Sequence, residues 1–135
     1  MKYLLDTNIV SELFRPRPSP VLLQHFAEVL PGDRCICAIT LGELLFGALR
    51  KANAQEYLAS ITVFAENAII LPFDADAARQ YSSIRVFLEK NGQMIDDADM
   101  QIGSIALANN LIMVTRNVRH FARVPQLVIE NWIDA

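Results

Sequence analysis

The chain has 135 residues, of which 53% are hydrophobic and 20% are charged, and its formal net charge is −3. This length and composition predict one globular domain spanning 1–135 and exclude an intrinsically disordered chain. No apolar run reaches the ~18 residues that a membrane helix needs, and the chain does not open on a basic segment followed by a long apolar stretch, so neither a membrane protein nor a secreted one is expected.

Short apolar runs alternate along the chain with longer segments of helical periodicity. The first four runs are nearly continuous, which is typical of parallel strands buried on both faces. The predicted strands are 2–5, 34–39, 68–73, 112–115 and 127–130. The predicted helices are a short one ended by the prolines of 15–20, then 19–30, 41–51, 54–66, 74–91 and 97–110. Strands separated by helices predict a three-layer α/β/α domain with a mostly parallel sheet of about five strands.

The two cysteines, Cys35 and Cys37, are separated by one residue in a predicted strand. They are too close to pair easily with each other, and no further ligands are spaced for a Cys-x-Cys metal site. We interpret them as small buried strand residues of a protein that stays in the reducing cytoplasm.

Several acidic side chains fall where a crevice is expected, because such folds bind ligands at the carboxyl ends of their strands, where the strand order reverses. Asp6 ends the first predicted strand, Glu43 lies four residues past the second, and both Asp96 and Asp99 lie at the start of the helix over 97–110. Carboxylates that converge on one crevice repel one another and lose solvation, and a divalent cation removes that cost. Because the ligands are oxygens alone, the sequence predicts Mg²⁺ or Mn²⁺ rather than Zn²⁺.

Each acid also has a purely structural interpretation. Thr40 and Glu43 have the spacing of a capping box, in which the threonine caps the helix and the glutamate reaches back to it. Asp96 fits the N-cap of the last predicted helix, where the helix dipole would favour Asp97. Asp6 fits the start of a turn. Metal binding and helix capping therefore remain alternatives for these residues at this point.

Basic residues favour a phosphate-bearing ligand once the acidic cluster is set aside. Without the four acids of that cluster, the chain has 12 basic and 11 acidic residues. The remainder is nearly neutral, which weakens the objection that the net charge raises against nucleic acid. Arg15 and Arg17 form one candidate edge for phosphate. The stronger candidates follow the fourth predicted strand within eight residues of one another, and they are Arg116, Arg119 and Arg123.

Four separated segments carry most of these residues: YLLDTNIVSEL near the start, ITLGELLFGA at 39–48, IDDADMQIGSIAL at 95–107 and VTRNVRHFARVPQLVIENW at 114–132. In order and spacing they resemble the PIN-domain family, and more narrowly the VapC-type toxins of bacterial toxin–antitoxin pairs. The resemblance implies a PIN-like fold and a Mg²⁺- or Mn²⁺-dependent endoribonuclease that hydrolyses RNA with metal-activated water. It also implies a homodimer and a complex with a cognate antitoxin.

The resemblance further implies residue roles by position. The implied catalytic residues are Asp6, Glu43, Asp99 and Asn117. The implied metal ligands are Asp6 and Asp99, with Glu43 and Asp96 as further candidates. Asn117 is an amide where some members of the family carry an acid, which puts a full second metal site in question, and Asp96 is an extra acid able to substitute. Thr115 is implied to orient a carboxylate or a water from behind the ligands.

Three other classes of protein are alternatives. A receiver-like Mg²⁺-binding signalling domain needs a phospho-acceptor aspartate and a later lysine; Asp74 follows the third strand, but no lysine follows Lys90. A phosphatase with a nucleophilic aspartate needs a second one two residues on, and that position is Asn8. The third alternative is a catalytically inactive PIN-like module that only binds a partner. The nuclease is preferred because the acidic residues are intact.

Overall fold

Five strands form the centre of the molecule in a computed structural model that describes residues 1–134. The strands are β1 (Tyr3–Leu5), β2 (Arg34–Cys37), β3 (Ile69–Leu71), β4 (Ile112–Val114) and β5 (Ile129–Glu130). The helices are α1 (Thr7–Leu13), α2 (Pro20–Glu28), α3 (Ala38–Leu49), α4 (Ala54–Glu66), α5 (Ala75–Lys90), α6 (Asp97–Ala108) and α7 (Val118–Phe121). All neighbouring strands are parallel, so the predicted α/β fold is confirmed. Within the described residues, no helix is long and apolar enough to cross a membrane.

Helices cover both faces of the sheet, because successive side chains of each strand point to opposite faces. On β1, Leu5 packs with residues of α1, α2, α3 and α4, whereas Leu4 packs with residues of α5, α6 and α7. The alternation recurs on β2, where Ile36 faces the first set of helices and Cys35 the second. Both thiols, Cys35 and Cys37, are buried and reduced.

The strand order places a switch point at the centre of the sheet. The order is β3-β2-β1-β4-β5, so the chain runs from β1 outward to β3 and then returns to the other side of β1. The carboxyl ends of β1 and β4 are therefore the place where an open parallel sheet binds ligands. Asp6 directly follows β1 and Thr115 directly follows β4, and the N–H of Asp6 donates to the carbonyl of Val114 at 2.8 Å.

The structure corrects the predicted boundary between β2 and α3. β2 ends at Cys37 and α3 begins at Ala38, whereas the sequence predicted a strand to residue 39 and a helix from residue 41. The ladder between β2 and β3 ends where Cys37 pairs with Leu71, so no partner extends the strand. Because α3 starts earlier than predicted, Glu43 lies in its second turn and not in its first.

A second difference is α7, a helix of four residues that the sequence patterns did not predict. It follows β4 after a short turn and packs Phe121, a fully buried side chain, against the α6 side of the sheet. One turn of helix is too short to show a periodic apolar pattern. Its consequence for the site is that residues 117 and 120 lie on the same side of one turn.

Candidate active site

Asp6 is a buried carboxylate at the carboxyl end of β1. It caps α1, and its Oδ1 accepts a hydrogen bond from the backbone N–H of Thr7 at 2.8 Å. Its Oδ2 accepts a hydrogen bond from the hydroxyl of Thr115 at 2.7 Å. Only 4% of Asp6 is exposed. Desolvation by burial raises the pKa of Asp6 from 3.8 to about 6, and the negative charges of Asp99 and Glu43 add to the rise.

Glu43 lies against α1 and not against the start of its own helix. The hydroxyl of Thr7 donates to Oε1 of Glu43 at 2.6 Å and lies 3.3 Å from the hydroxyl of Thr40. Thr40 is buried inside α3, whose N-cap is Cys37 with no side-chain capping hydrogen bond. The capping-box interpretation of Thr40 and Glu43 is therefore wrong. The early start of α3 moves Glu43 beyond reach of the helix N-terminus and places it opposite Thr7.

The start of α6 places two acids in the crevice at the switch point and directs a third away from it. Asp96 is the N-cap residue of α6, but its side chain makes no capping hydrogen bond. Asp96 and Asp99 both line the crevice from one face of the first turn. Asp97 instead accepts hydrogen bonds from Tyr81 of α5 and from Gln101. Burial raises the pKa of Asp99, and the nearby charge of Asp96 adds to this effect.

Asn117 links the acids to their neighbours on the β4 side of the crevice. Its backbone N–H donates to Oγ1 of Thr115 at 2.9 Å. Its Nδ2 lies 3.5 Å from Oδ2 of Asp99 and 2.8 Å from Nδ1 of His120. His120 Nδ1 is in turn 3.7 Å from the same oxygen of Asp99. The amide of Asn117 therefore sits between a carboxylate and an imidazole and supplies hydrogens where an acid would supply only another negative charge.

One open crevice with a volume of about 430 Å³ lies among these side chains. The structure brings all four implied catalytic residues into it. Of the three predicted phosphate-binding arginines, Arg116 lines the crevice, whereas Arg123 donates to the carbonyl of Met94 and Arg119 is exposed on α7. Arg15, from the other candidate edge, also lines the crevice. The remaining lining residues that the sequence did not single out for a site are Thr7, Asn8, Ser11 and Glu12.

The missed residues depend on partners that local spacing does not reveal. Oδ1 of Asn8 accepts the backbone N–H of Arg116 at 3.1 Å, a contact between chain segments that lie far apart in sequence. Glu12 is only 7% exposed and accepts the backbone N–H of Ser19 at 3.0 Å. The sequence did contain a sign that Glu12 is buried, because a residue three positions after Ile9 lies on the same buried face of α1.

The donor atoms of the crevice suit a hard divalent cation. Carboxylate and amide oxygens are the ligands that Mg²⁺ and Mn²⁺ prefer. Within residues 1–134, no basic side chain forms an ion pair with Asp6 or Glu43. In the same part of the chain, no three acidic, histidine or cysteine side chains form a ready-made metal cage. The residues fit such an ion by their chemistry and by the uncompensated charge of buried Asp6, not by a preformed cage.

The fold and the acidic crevice at its switch point are those of a known class. The sequence profile of the PIN domain matches residues 3–127, a range that holds every residue of the crevice. The chain therefore belongs to the PIN-domain family.

Relatives that match over the whole length narrow this assignment. Ribonuclease VapC2 of Haemophilus influenzae is 34% identical over 133 residues, which are 98% of this chain and 99% of the relative. The tRNA(fMet)-specific endonuclease VapC of Shigella flexneri is 34% identical over 132 residues, 98% of each chain. Among solved structures, VapBC2 from Rickettsia felis bound to a promoter DNA fragment has a TM-score of 0.88 and 30% identity, and the match covers 98% of this chain and 99% of that one. Within the PIN-domain family, the chain is one of the VapC ribonucleases.

Proposed function

We propose that this chain cuts RNA in the crevice at the switch point and that the reaction requires Mg²⁺ or Mn²⁺. One observation carries the proposal: segments far apart in sequence bring the four acids of the predicted cluster into one crevice together with a fifth, Glu12. The most buried of them, Asp6, has no basic partner among residues 1–134. A protein that used these acids only for helix capping would not need them to face one another. The receiver-like and phosphatase alternatives lack the residues they require, and neither is a PIN-domain protein.

In this proposal Asp6 and Asp99 hold the ion, with Glu43 and Asp96 as further ligands. When bound, the ion supplies the positive charge that stabilises a phosphodiester during hydrolysis. The chain prepares the ligands in advance, because a backbone N–H and a hydroxyl fix both oxygens of Asp6. Such supporting hydrogen bonds commonly change metal affinity or activity by about 10- to 100-fold when they are removed.

Hydrolysis adds one water across a P–O bond, so the water must lose a proton and the departing oxygen must gain one. The hydroxyl of Thr7 donates to Oε1 of Glu43, and we assign Oε2 of Glu43 to take the proton of the water. The departing oxygen faces the open mouth of the crevice, where solvent supplies its proton. Arg116 and Arg15 also line the crevice, where they pair with Asp134 at 3.6 Å and with Glu12 at 3.4 Å. In this proposal both arginines counter the charge of the phosphate.

The substrate class that we propose is a folded RNA cut in a single-stranded loop, because specific proteins read unpaired bases. The Shigella relative is named as an endonuclease for one tRNA, which makes tRNA the first substrate to try. The similarity to VapBC2 supports a cognate antitoxin that binds this chain and blocks its activity as a toxin. We further propose that the toxin is a homodimer that acts in the cytoplasm.

The test uses purified, antitoxin-free protein incubated with total RNA and with tRNA, in Mg²⁺, in Mn²⁺ and in EDTA. We expect discrete RNA fragments with either metal and intact RNA in EDTA. Asp6→Asn should cut nothing, whereas the matched variant Asp97→Asn should cut normally, because Asp97 is directed to α5. Intact RNA in every arm, from a protein with a cooperative melting curve, would instead support the inactive binding module.

A further inference from the structure

A second pocket lies beside the acidic crevice. It has a volume of about 290 Å³ and lies between α1, α3 and α4. The side chains of Ser11, Arg15 and Glu43 line both cavities, so the two adjoin. We propose that this pocket receives one nucleobase of the RNA, beside the phosphodiester that is cut. The inference rests on the function proposed above and adds a subsite for the substrate.

The walls of the pocket have the chemistry of a base-binding site. Phe14 and Tyr57 supply aromatic surface, and Leu44 belongs to an apolar floor. The ammonium group of Lys51 lies 4.6 Å from the centroid of the Tyr57 ring. Lys51 therefore adds positive charge to the pocket, where a phosphate flanking a bound base would lie. Arg15, which pairs with Glu12 at 3.4 Å, lines the side that the pocket shares with the crevice. Proteins that bind single-stranded RNA combine these two elements, an aromatic surface for stacking and cations for the backbone.

The size of the pocket suits a single flat group. A volume of about 290 Å³ is at the lower end of small-molecule sites, which start near ~300 Å³. A base attached to a phosphate in the adjoining crevice would lie next to this pocket, because the two cavities share lining residues.

Gly47 keeps the pocket open. It lies inside α3 and contributes only backbone atoms to the wall, and a Cβ added there would meet no heavy atom within 4 Å. A glycine in a helix interior is less stable than an alanine, because it loses more backbone freedom on folding. A Cβ at this position would lie at the wall of the pocket without meeting another heavy atom. The position therefore permits a substitution that blocks the pocket and spares the fold.

The test compares Gly47→Leu with Gly42→Leu, which adds the same side chain to the same helix at a position where a Cβ also meets nothing within 4 Å and which lines neither cavity. The substrates are an oligoribonucleotide spanning the mapped wild-type cleavage site and a set in which each nucleotide in turn is abasic. We expect Gly47→Leu to lower kcat/KM about 10-fold on intact RNA. Gly42→Leu should match the wild type. On one of the abasic substrates, the kcat/KM of the wild type should also fall about 10-fold. Gly47→Leu should cut that substrate as fast as the wild type does.

Two results would overturn the base pocket and leave the nuclease intact. One is normal cleavage of intact RNA by Gly47→Leu; this result together with loss of antitoxin binding would assign the pocket to a protein side chain. The other is a kcat/KM of Gly47→Leu that is lower than that of the wild type by the same factor on every abasic substrate. The added side chain would then act by something other than excluding a base. If the wild type cuts no RNA in either metal, the proposed function itself fails, and the subsite with it.

Discussion

Replacing Asp6 with asparagine should stabilise the metal-free protein at neutral pH. The wild-type carboxyl is 4% exposed, and its pKa is raised from 3.8 to about 6, chiefly by desolvation. Asparagine caps a helix about as well as aspartate, so the variant keeps an acceptor for the N–H that follows it. What it loses is a negative charge in a poorly solvated site that lies near other acids, together with the second oxygen, which accepts the hydroxyl of Thr115. The lost acceptor lowers stability equally at every pH at which the wild-type carboxyl is ionised, whereas the loss of the charge acts in the opposite direction.

The pH dependence gives the sign and the size of this effect. At pH values well below 3.8, the carboxyl is protonated in both the folded and the unfolded chain and makes no difference. Between pH 3.8 and about 6, the unfolded chain releases a proton that the folded chain retains, so the free energy of unfolding falls as the pH rises. A difference of about 2 pH units, at ~1.36 kcal/mol each, amounts to ~3 kcal/mol. The asparagine variant does not undergo this loss.

The measurement is urea unfolding in EDTA at pH 4, 5, 6 and 7, followed by the fluorescence of Trp132, which is 1% exposed. The stability of Asp6→Asn relative to the wild type should increase by up to ~3 kcal/mol over this range. Asp97→Asn, which changes an exposed acid on the α5 side, is the control and should show no such trend. A difference that stays constant with pH, or a variant that is less stable at pH 7, would refute the reasoning.

Four further outcomes concern the same crevice. In single-turnover assays, Glu43→Gln and Asp99→Asn should stay folded and cut RNA at least ~100-fold more slowly, and near-normal rates would remove both from the site. Mn²⁺ at ~100 times its Kd should stabilise the wild type by about 2.7 kcal/mol, and a melting curve that does not differ from the one in EDTA would contradict the metal site. Thr115→Val should lose ~1–3 kcal/mol of unfolding free energy in urea, because a buried carboxylate and a backbone N–H each lose their partner. His120→Ala should cut about 10-fold more slowly at unchanged stability, with partial rescue by His120→Gln, and equal rates for all three proteins would exclude a positioning role.

The sheet and several members of the acidic crevice were predictable because both follow from local regularities. Buried parallel strands appear as short continuous apolar runs, and parallel strands place their carboxyl ends at one edge. Asp6 could therefore be assigned to that edge directly. Asp99 required one more step, the helical spacing that puts it on the same face as Asp96 and near the apolar stripe. The structure places all three in the crevice.

The contacts that hold these acids were not predictable, because they join segments that are distant in the chain. Nothing in the local sequence pairs Thr7 with Glu43, and the spacing from Thr40 to Glu43 indicated a capping box instead. That error followed from the strand boundary, since β2 ends where its neighbour ends and no sequence pattern marks that residue. The contact of His120 with Asn117 was not predictable for a similar reason, because it exists only through the single turn of α7.

The amide at residue 117 connects the electrostatics of the crevice to its chemistry. Its Nδ2 lies 3.5 Å from an oxygen of Asp99, a carboxyl whose pKa is already raised by burial and by Asp96. An aspartate at this position would add repulsion where the amide adds a hydrogen-bond donor, so asparagine lowers the cost of holding Asp99 in place without metal. With an asparagine and not an aspartate at residue 117, the crevice also has one charged ligand fewer. Asp96, whose side chain does not cap its helix, lines the same crevice and is able to supply a replacement charge. In the metal site that we propose, this charge balance favours one strongly held cation over two.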